Sequence, residues 1–372
     1  MPGLEAHRRR EVWVVCVVGL LICAGLGLSA QGRGVDLIQF YAAGRLAGSG
    51  QLYDFQRIRQ TEALYRPMAI PYGRLPVYAG AFKVFSYLPL SVARVAWFAV
   101  NLTGLLAFLW LWPFPKDQRI YPLMVLCWSY PAAILLSLGQ DIGLFVCFAA
   151  AGFWLLRSGR DFAAGLVFAL CANKFHLAVP LPLFLVARRN WTALSGGLCG
   201  GVILLGLSFA LEGWQWPLRL LELSRRFEFS PAPYKMPNLH GVSYWLPFSL
   251  AWEVGLAVLA LAATYLISRR CEARVAAATA LATGLLVSHH AYIYDAVLLI
   301  PLLMLAQQER FPAVVQYWSV VLCIPVAYRL LLEPLSSFMA QLAISGFTLV
   351  VLLLLSLRST RVAGCPVCQH ER

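Results

Sequence analysis

Charge is scarce in this chain. Asp, Glu, Lys and Arg together make up 13% of its 372 residues, where soluble proteins carry about 25%. Too few charges are present to cover a water-soluble fold of this length. Disorder is excluded as well, because 60% of the residues are hydrophobic and disordered chains are poor in apolar side chains. Acidic residues are the scarcer sign, 17 against 30 basic, which leaves a net charge of +13. A nucleic-acid binder gathers such an excess on an exposed face. Here the basic residues are scattered between apolar runs, so anionic lipid headgroups and phosphate-bearing substrates are the expected partners and nucleic acid is not. Nucleotide loops are missing too. There is no G-x-x-x-x-G-K-[ST], no strand-borne G-x-G-x-x-G and no G-x-S-x-G elbow.

The ten cysteines do not make a disulfide framework. Cys16, Cys23, Cys127, Cys147, Cys171, Cys199 and Cys323 sit inside apolar runs, where cysteine acts as a small hydrophobe. Cys271 lies in a basic loop. Cys365 and Cys368 form a C-x-x-C near His370, but no second pair exists to complete a four-ligand zinc site, so the tail reads as a reduced, exposed segment.

Apolar runs dominate what is present. They fall at about 12–30, 92–112, 120–138, 142–156, 162–172, 176–187, 193–211, 247–267, 275–289, 292–306, 312–331 and 336–357. An all-α integral membrane protein of about 12 transmembrane helices is expected. Arg8-Arg9-Arg10 before the first run places the N-terminus in the cytosol. The run 75–90 decides the parity of everything downstream. If it does not cross, the basic loops at 116–119, 157–160, 188–189 and 269–274, Arg310 and the tail all fall inside; if it crosses, they divide between the two sides. It is therefore assigned to an interfacial or re-entrant helix on the outer side. The result is one polytopic domain over 1–357, with extracytoplasmic loops at 31–91 and 212–246, a cytosolic tail at 358–372 and both termini cytosolic.

Under this topology four polar breaks share the outer face. They are Asp36 after the first run, Gly139-Gln140-Asp141, Asn173-Lys174-Phe175-His176, and Ser288-His289-His290 with Tyr294-Asp295. Ionisable groups at membrane depth are costly and usually face a functional cavity. A carboxylate there can act as general base toward a hydroxyl. Lysine, arginine and histidine can stabilise a departing phosphate without a metal. No metal ligand set and no cofactor is assigned.

Several motifs resemble those of a known family. Asp36-Leu-Ile-Gln-Phe-Tyr41-Ala-Ala-Gly44, followed by Gly50-Gln-Leu-Tyr53-Asp54, is similar to the first outer loop of glycosyltransferase family 87, in the GT-C superfamily. Gly139-Gln140 resembles its Gly-Gln motif, and Lys174 followed by Arg188-Arg189-Asn190-Trp191 its lysine and basic loop. Asn238 to Ser243 is similar to its Asn-x-Ser stretch. Ser288-His289-His290 with Tyr294-Asp295 resembles its Ser-Pro-His…Tyr-Asp motif, with His289 in place of proline.

The resemblance implies a helical GT-C bundle that transfers a sugar, mannose by family, from a polyprenyl-phosphate donor to a lipid or glycan acceptor at the outer face of the cytoplasmic membrane. Asp36 is the implied base. Lys174, His176, His290, Arg66 and Arg74 are the implied phosphate ligands. Tyr41, Gln140, Asp141, Asn238, Tyr294 and Asp295 are expected to bind or orient sugar and acceptor. The rival reading is a transporter or flippase for a lipid-linked or anionic substrate. It requires a midplane site reachable from both sides, and the cytosolic halves of the helices show no matching charges. The topology predicts that cysteines introduced at Ser91 and Ser158, in a background without native cysteines, label from opposite sides of the membrane; labelling from one side overturns the single-face arrangement.

Overall fold

The computed structural model describes residues 2–29, 35–66, 70–115, 118–226, 232–309 and 311–362. The tail residues Cys365, Cys368 and His370 lie outside them, as does Arg33. The chain is about 80% helical, and no strand occurs among the described residues.

The apolar runs fall on helices. Leu90–Leu111, Trp191–Glu212 and Ser249–Arg270 have 22 residues each, and Pro334–Val362 has 29. At 1.5 Å per residue, 22 residues reach about 33 Å, enough for a hydrocarbon layer of about 30 Å. Their outward faces are apolar: Leu198, Val202, Leu250 and Val258 are all exposed. A soluble helix turns that face inward, so these require lipid. Three further apolar helix pairs are bent, by 60° between Ile120–Cys127 and Tyr130–Leu138, by 113° between Asp161–Ala178 and Pro180–Ala187, and by 66° between Ala313–Val321 and Pro325–Leu332. Each second half has a proline in its first turn, where the missing N–H disrupts nothing but ends the preceding helix. By length and composition four helices cross alone, or seven if each bent pair is one crossing. Shorter apolar helices lie beside them, among them Ile142–Arg157 and Ala273–Val287.

The run 75–90 contains the helix Pro76–Ser86. Its 11 residues reach about 16 Å, too short to cross. It packs on the helix Val35–Leu46, with Phe40 and Phe82 stacked at 4.7 Å and Trp97 edge-on to Phe82 at 4.6 Å. Leu52, Tyr53 and Tyr72 join this small core, as does Trp216 from the second loop. The loops are tied again where the Gly48 amide donates to Glu212 at 2.6 Å. They form one cap.

The bundle has two unlike ends. Helix Ile142–Arg157 starts after Asp141 and finishes at Arg157, and Ala273–Val287 starts beside Arg274 and finishes before Ser288. At the basic end Arg188 donates to the carbonyls of Ser268 (3.0 Å) and Cys271 (3.1 Å). The polar breaks gather at the other.

Small residues let helices meet backbone to backbone. In Asp161–Ala169, a Cβ on Gly165 would collide with the Ala193 carbonyl of Trp191–Glu212, and one on Gly196 with the Phe162 carbonyl. Neither backbone can yield. Gly165→Val should therefore lower stability by about 1–3 kcal/mol, seen as an earlier thermal unfolding in detergent; unchanged unfolding would show that the two helices are not apposed.

Candidate functional site

The site is built where helices end early. Tyr130–Leu138 stops at Gly139, whose φ of 78° is left-handed and favours glycine. The chain then turns through Gln140 and Asp141 into the next helix. A Cβ on Gly139 would sit 2.8 Å from the Leu37 Cβ, and the Gly139 carbonyl accepts from Trp97 Nε1 at 2.8 Å. That close approach brings the helix carrying Asp36 against the break. A second interruption is the 3₁₀ segment Leu170–Lys174, and a third is Ile293–Leu299. In the latter, Asp295 Oδ2 caps the Tyr292 amide at 2.9 Å.

These breaks converge on an ion network. Arg74, from the first loop, grips Asp141 with both arms, Nε to Oδ2 and Nη2 to Oδ1, each at 2.9 Å. Its Nη2 reaches Gln140 Oε1 at 3.4 Å, and its guanidinium lies over the Phe40 ring at 5.4 Å. Lys174 Nζ donates to Asp295 Oδ1 at 2.8 Å, stands 3.8 Å from Asp141 Oδ1 and lies 4.8 Å from the centre of the Tyr294 ring. Asn173 donates to Asp141 Oδ2 at 3.2 Å. Lys174, Asp141 and Asp295 are buried. A buried charge that loses its partner is strongly destabilising, so the four groups hold one another in place.

Asp36 borders this network, half-buried, and receives a hydrogen bond from the Gln140 side chain. Gln140 Nε2 also contacts the Tyr294 hydroxyl at 3.2 Å. Burial raises the Asp36 carboxyl above its ordinary value; Gln140 and the charges of Lys174, Arg66 and Arg74 pull the other way without cancelling it. Arg33 and Arg45 are the arginines nearest Asp36 in the sequence. Arg45 lies over the Tyr41 ring at 5.6 Å instead, and Arg33 falls outside the described residues. Arg66 Nη1 donates to the Val35 carbonyl at 3.1 Å, next to Asp36, while its Nε bonds Glu62 at 2.9 Å. Burial, with Lys174 and Arg74 near, pushes His290 down to about 4. Its ring lies 6.0 Å from that of His176, whose Nε2 is buried without a partner.

The sequence-derived set thus divides. Asp36, Arg66, Arg74, Gln140, Asp141, Lys174, His176, His290, Tyr294 and Asp295 are brought to one end of the bundle. Tyr41 turns aside to donate to the Leu88 carbonyl at 2.7 Å. Asn238 is fully buried; it caps the Gly241 amide at 3.0 Å and donates to the Ser288 carbonyl at 2.6 Å, so it joins two loops. Asn173 was named in its polar break but given no role, and Tyr292 was not singled out from sequence; adjacency to Tyr294 was the available signal. A cavity of about 670 Å³ lies at the far, basic end, lined by Arg157, Arg188 and Arg274, and belongs to a different face. A cleft of about 880 Å³ runs between the first and second loops, with Tyr53, Asp54, Gln215 and Arg219 on its walls. Tyr53 closes it toward the site by donating to the Arg74 carbonyl at 2.5 Å.

A helical membrane bundle with carboxylates, cations and amides gathered at one end defines an integral-membrane protein with a polar reaction site. The model of glycosyltransferase family 87 matches residues 76–290. That stretch is more than half of the chain, which belongs to this family and is a membrane glycosyltransferase. Neither a curated relative nor a solved structure matches it. Asp36, Arg66, Arg74, Tyr294 and Asp295 lie outside the matched stretch and reach the site through the contacts above.

The ion network yields a stability prediction. Lys174→Met strands Asp295 and should cost about 3–5 kcal/mol. The double variant Lys174→Met/Asp295→Asn should recover most of that loss in a detergent thermal melt. A single variant as stable as the parent would mean that the pair does not hold the breaks together.

Proposed function

We propose that the chain transfers a sugar from a polyprenyl-phosphate donor to a lipid or glycan acceptor, with inversion, at the outer face of the cytoplasmic membrane. Mannose is the sugar that the family resemblance favours. The observation that carries this reading is the placement of Asp36: a half-buried carboxylate with a raised proton affinity, hydrogen-bonded to Gln140, at the edge of a network of paired charges.

The chemistry follows from those positions. Asp36 takes the proton of the acceptor hydroxyl as that oxygen attacks the anomeric carbon. The bond from that carbon to the phosphate oxygen breaks, and the polyprenyl phosphate leaves with the electron pair. Lys174, Arg66 and Arg74 are the cations whose charges reach Asp36, and His176 and His290 offer ring nitrogens for hydrogen bonds to phosphate oxygens. One displacement inverts the anomeric centre. Gln140 and Tyr294 hold Asp36 and the sugar hydroxyls in register. The polar cleft between the outer loops gives an acceptor glycan room beside Tyr53 and Arg219. The basic loops at the far end favour an extracytoplasmic site, where nucleotide sugars are scarce and a lipid-linked donor is the available one.

Two outcomes test the base. Asp36→Asn keeps shape and removes basicity; transfer from radiolabelled polyprenyl-phosphate mannose should slow at least about 100-fold with donor binding retained. Transfer at near the parental rate would make Asp36 structural and turn attention to Asp141 or Asp295. The raised carboxyl also sets a pH limb. Only ionised Asp36 can accept a proton, so kcat/KM should fall with decreasing pH through a value above the ordinary aspartate range, despite Lys174, Arg66 and Arg74 facing it. An acid limb at or below the usual aspartate value would assign the base elsewhere.

A further inference from the structure

The cations of the reaction site are already matched by carboxylates. Arg74 faces Asp141, Lys174 faces Asp295 and Arg66 faces Glu62. Asp36 then adds a further negative charge. A phosphate arriving there meets no surplus of positive charge among these groups.

A second cluster lies beside this one, and the reaction scheme leaves it unused. His240 belongs to the short helix Leu239–Ser243 of the second loop, Glu253 to the start of Ser249–Arg270, and His289 to the break after Ala273–Val287. The two imidazoles share one carboxylate: His240 Nδ1 lies 2.8 Å from Glu253 Oε2, and His289 Nδ1 lies 2.9 Å from Oε1. The rings are 3.8 Å apart, and one nitrogen or oxygen from each of the three residues lies within 4.8 Å of the others. Ligands of a tetrahedral zinc at about 2.0–2.1 Å stand roughly 3.4 Å apart, so small rotations close the cluster on an ion. His240 and Glu253 are partly buried, and His289 is 67% exposed on its side chain, which leaves a path for the ion and an open coordination side. The Asn238 to Ser288 hydrogen bond, at 2.6 Å, fixes the two loops together without help from a metal.

We propose that His240, Glu253 and His289 bind a divalent transition-metal ion of the zinc class. Two imidazoles and one carboxylate suit zinc and its neighbours rather than magnesium or calcium, which prefer oxygen ligands. Each histidine binds as the neutral tautomer through Nδ1, its proton moving to Nε2, and water completes the shell. His289 adjoins His290, whose ring lies 6.0 Å from that of His176. An ion held here therefore stands at the margin of the reaction site and supplies the positive charge that the paired cations do not. Binding of the ion stands apart from the proposed reaction; its service to a phosphate rests on that reading.

The test uses the full chain in detergent with Cys365→Ser and Cys368→Ser, so that the tail thiols cannot hold metal. After chelator treatment, zinc is added, the sample is desalted and the retained metal is counted by mass spectrometry. One zinc per chain is expected, lost in His240→Ala/His289→Ala and weakened at least about 10-fold in Glu253→Gln, on the scale of a lost metal partner. Cobalt in place of zinc should give the visible spectrum of a low-coordinate imidazole site. Parent protein that retains no zinc, or a double-histidine variant that retains it equally, overturns the proposal. Donor titration with and without zinc is a separate arm: equal donor affinity would leave the metal in place and remove its role toward phosphate.

Discussion

Two buried carboxylates, a buried lysine and a half-buried arginine, drawn from four separate stretches of chain, hold this molecule's polar end together. In a medium of low dielectric each charge alone costs several kcal/mol, and removing one strands its partner. Arg74 comes from the first loop, Asp141 from the end of one bent helix pair, Lys174 from the 3₁₀ break of another and Asp295 from a third interruption. Helices in lipid gain little by hiding apolar faces from one another, because the lipid is equally apolar. The ion network therefore fixes positions that hydrophobic contact leaves loose, and Asp36 inherits its place from that frame through Gln140.

The membrane character of the chain was legible from the sequence because it depends on long apolar runs, which need no partner to be recognised. The assignment of 75–90 to a non-crossing segment rested on charge alone and agrees with an 11-residue helix that begins at Pro76 and is followed by Pro89. The bends were less visible. Pro180 and Pro325 mark where two crossings break, but a proline in sequence does not say whether the chain turns by 66° or by 113°.

The site was legible as a set and not as pairs. Polar residues interrupting apolar runs announce a shared face, yet the salt bridge between Arg74 and Asp141 joins residues in different loops, and nothing local to either points to the other. Lys174 looked like a group waiting for phosphate; its closest charge is Asp295. Tyr41 and Asn238 carried motif likeness and prove to bond backbone carbonyls. The cluster of His240, Glu253 and His289 escaped notice because Glu253 sits inside an apolar run and its histidines come from two distant loops.

The cap formed by the two loops also reaches into the bundle. The first-loop helix Pro76–Ser86 carries Tyr78, whose hydroxyl donates to the Leu170 carbonyl at 2.8 Å, a group at the start of the 3₁₀ break. A neighbouring amide, Val77, reaches Ser208 Oγ of Trp191–Glu212 at 3.3 Å. Backbone that leaves the α-helix inside a membrane must find substitutes for its lost bonds, and here a cap lying outside the bundle provides one. During synthesis the cap emerges first and the broken helix later. The earlier segment thus serves as a template on which the later one completes its hydrogen bonding, and placement of the first loop becomes a precondition for finishing a helix inside the membrane.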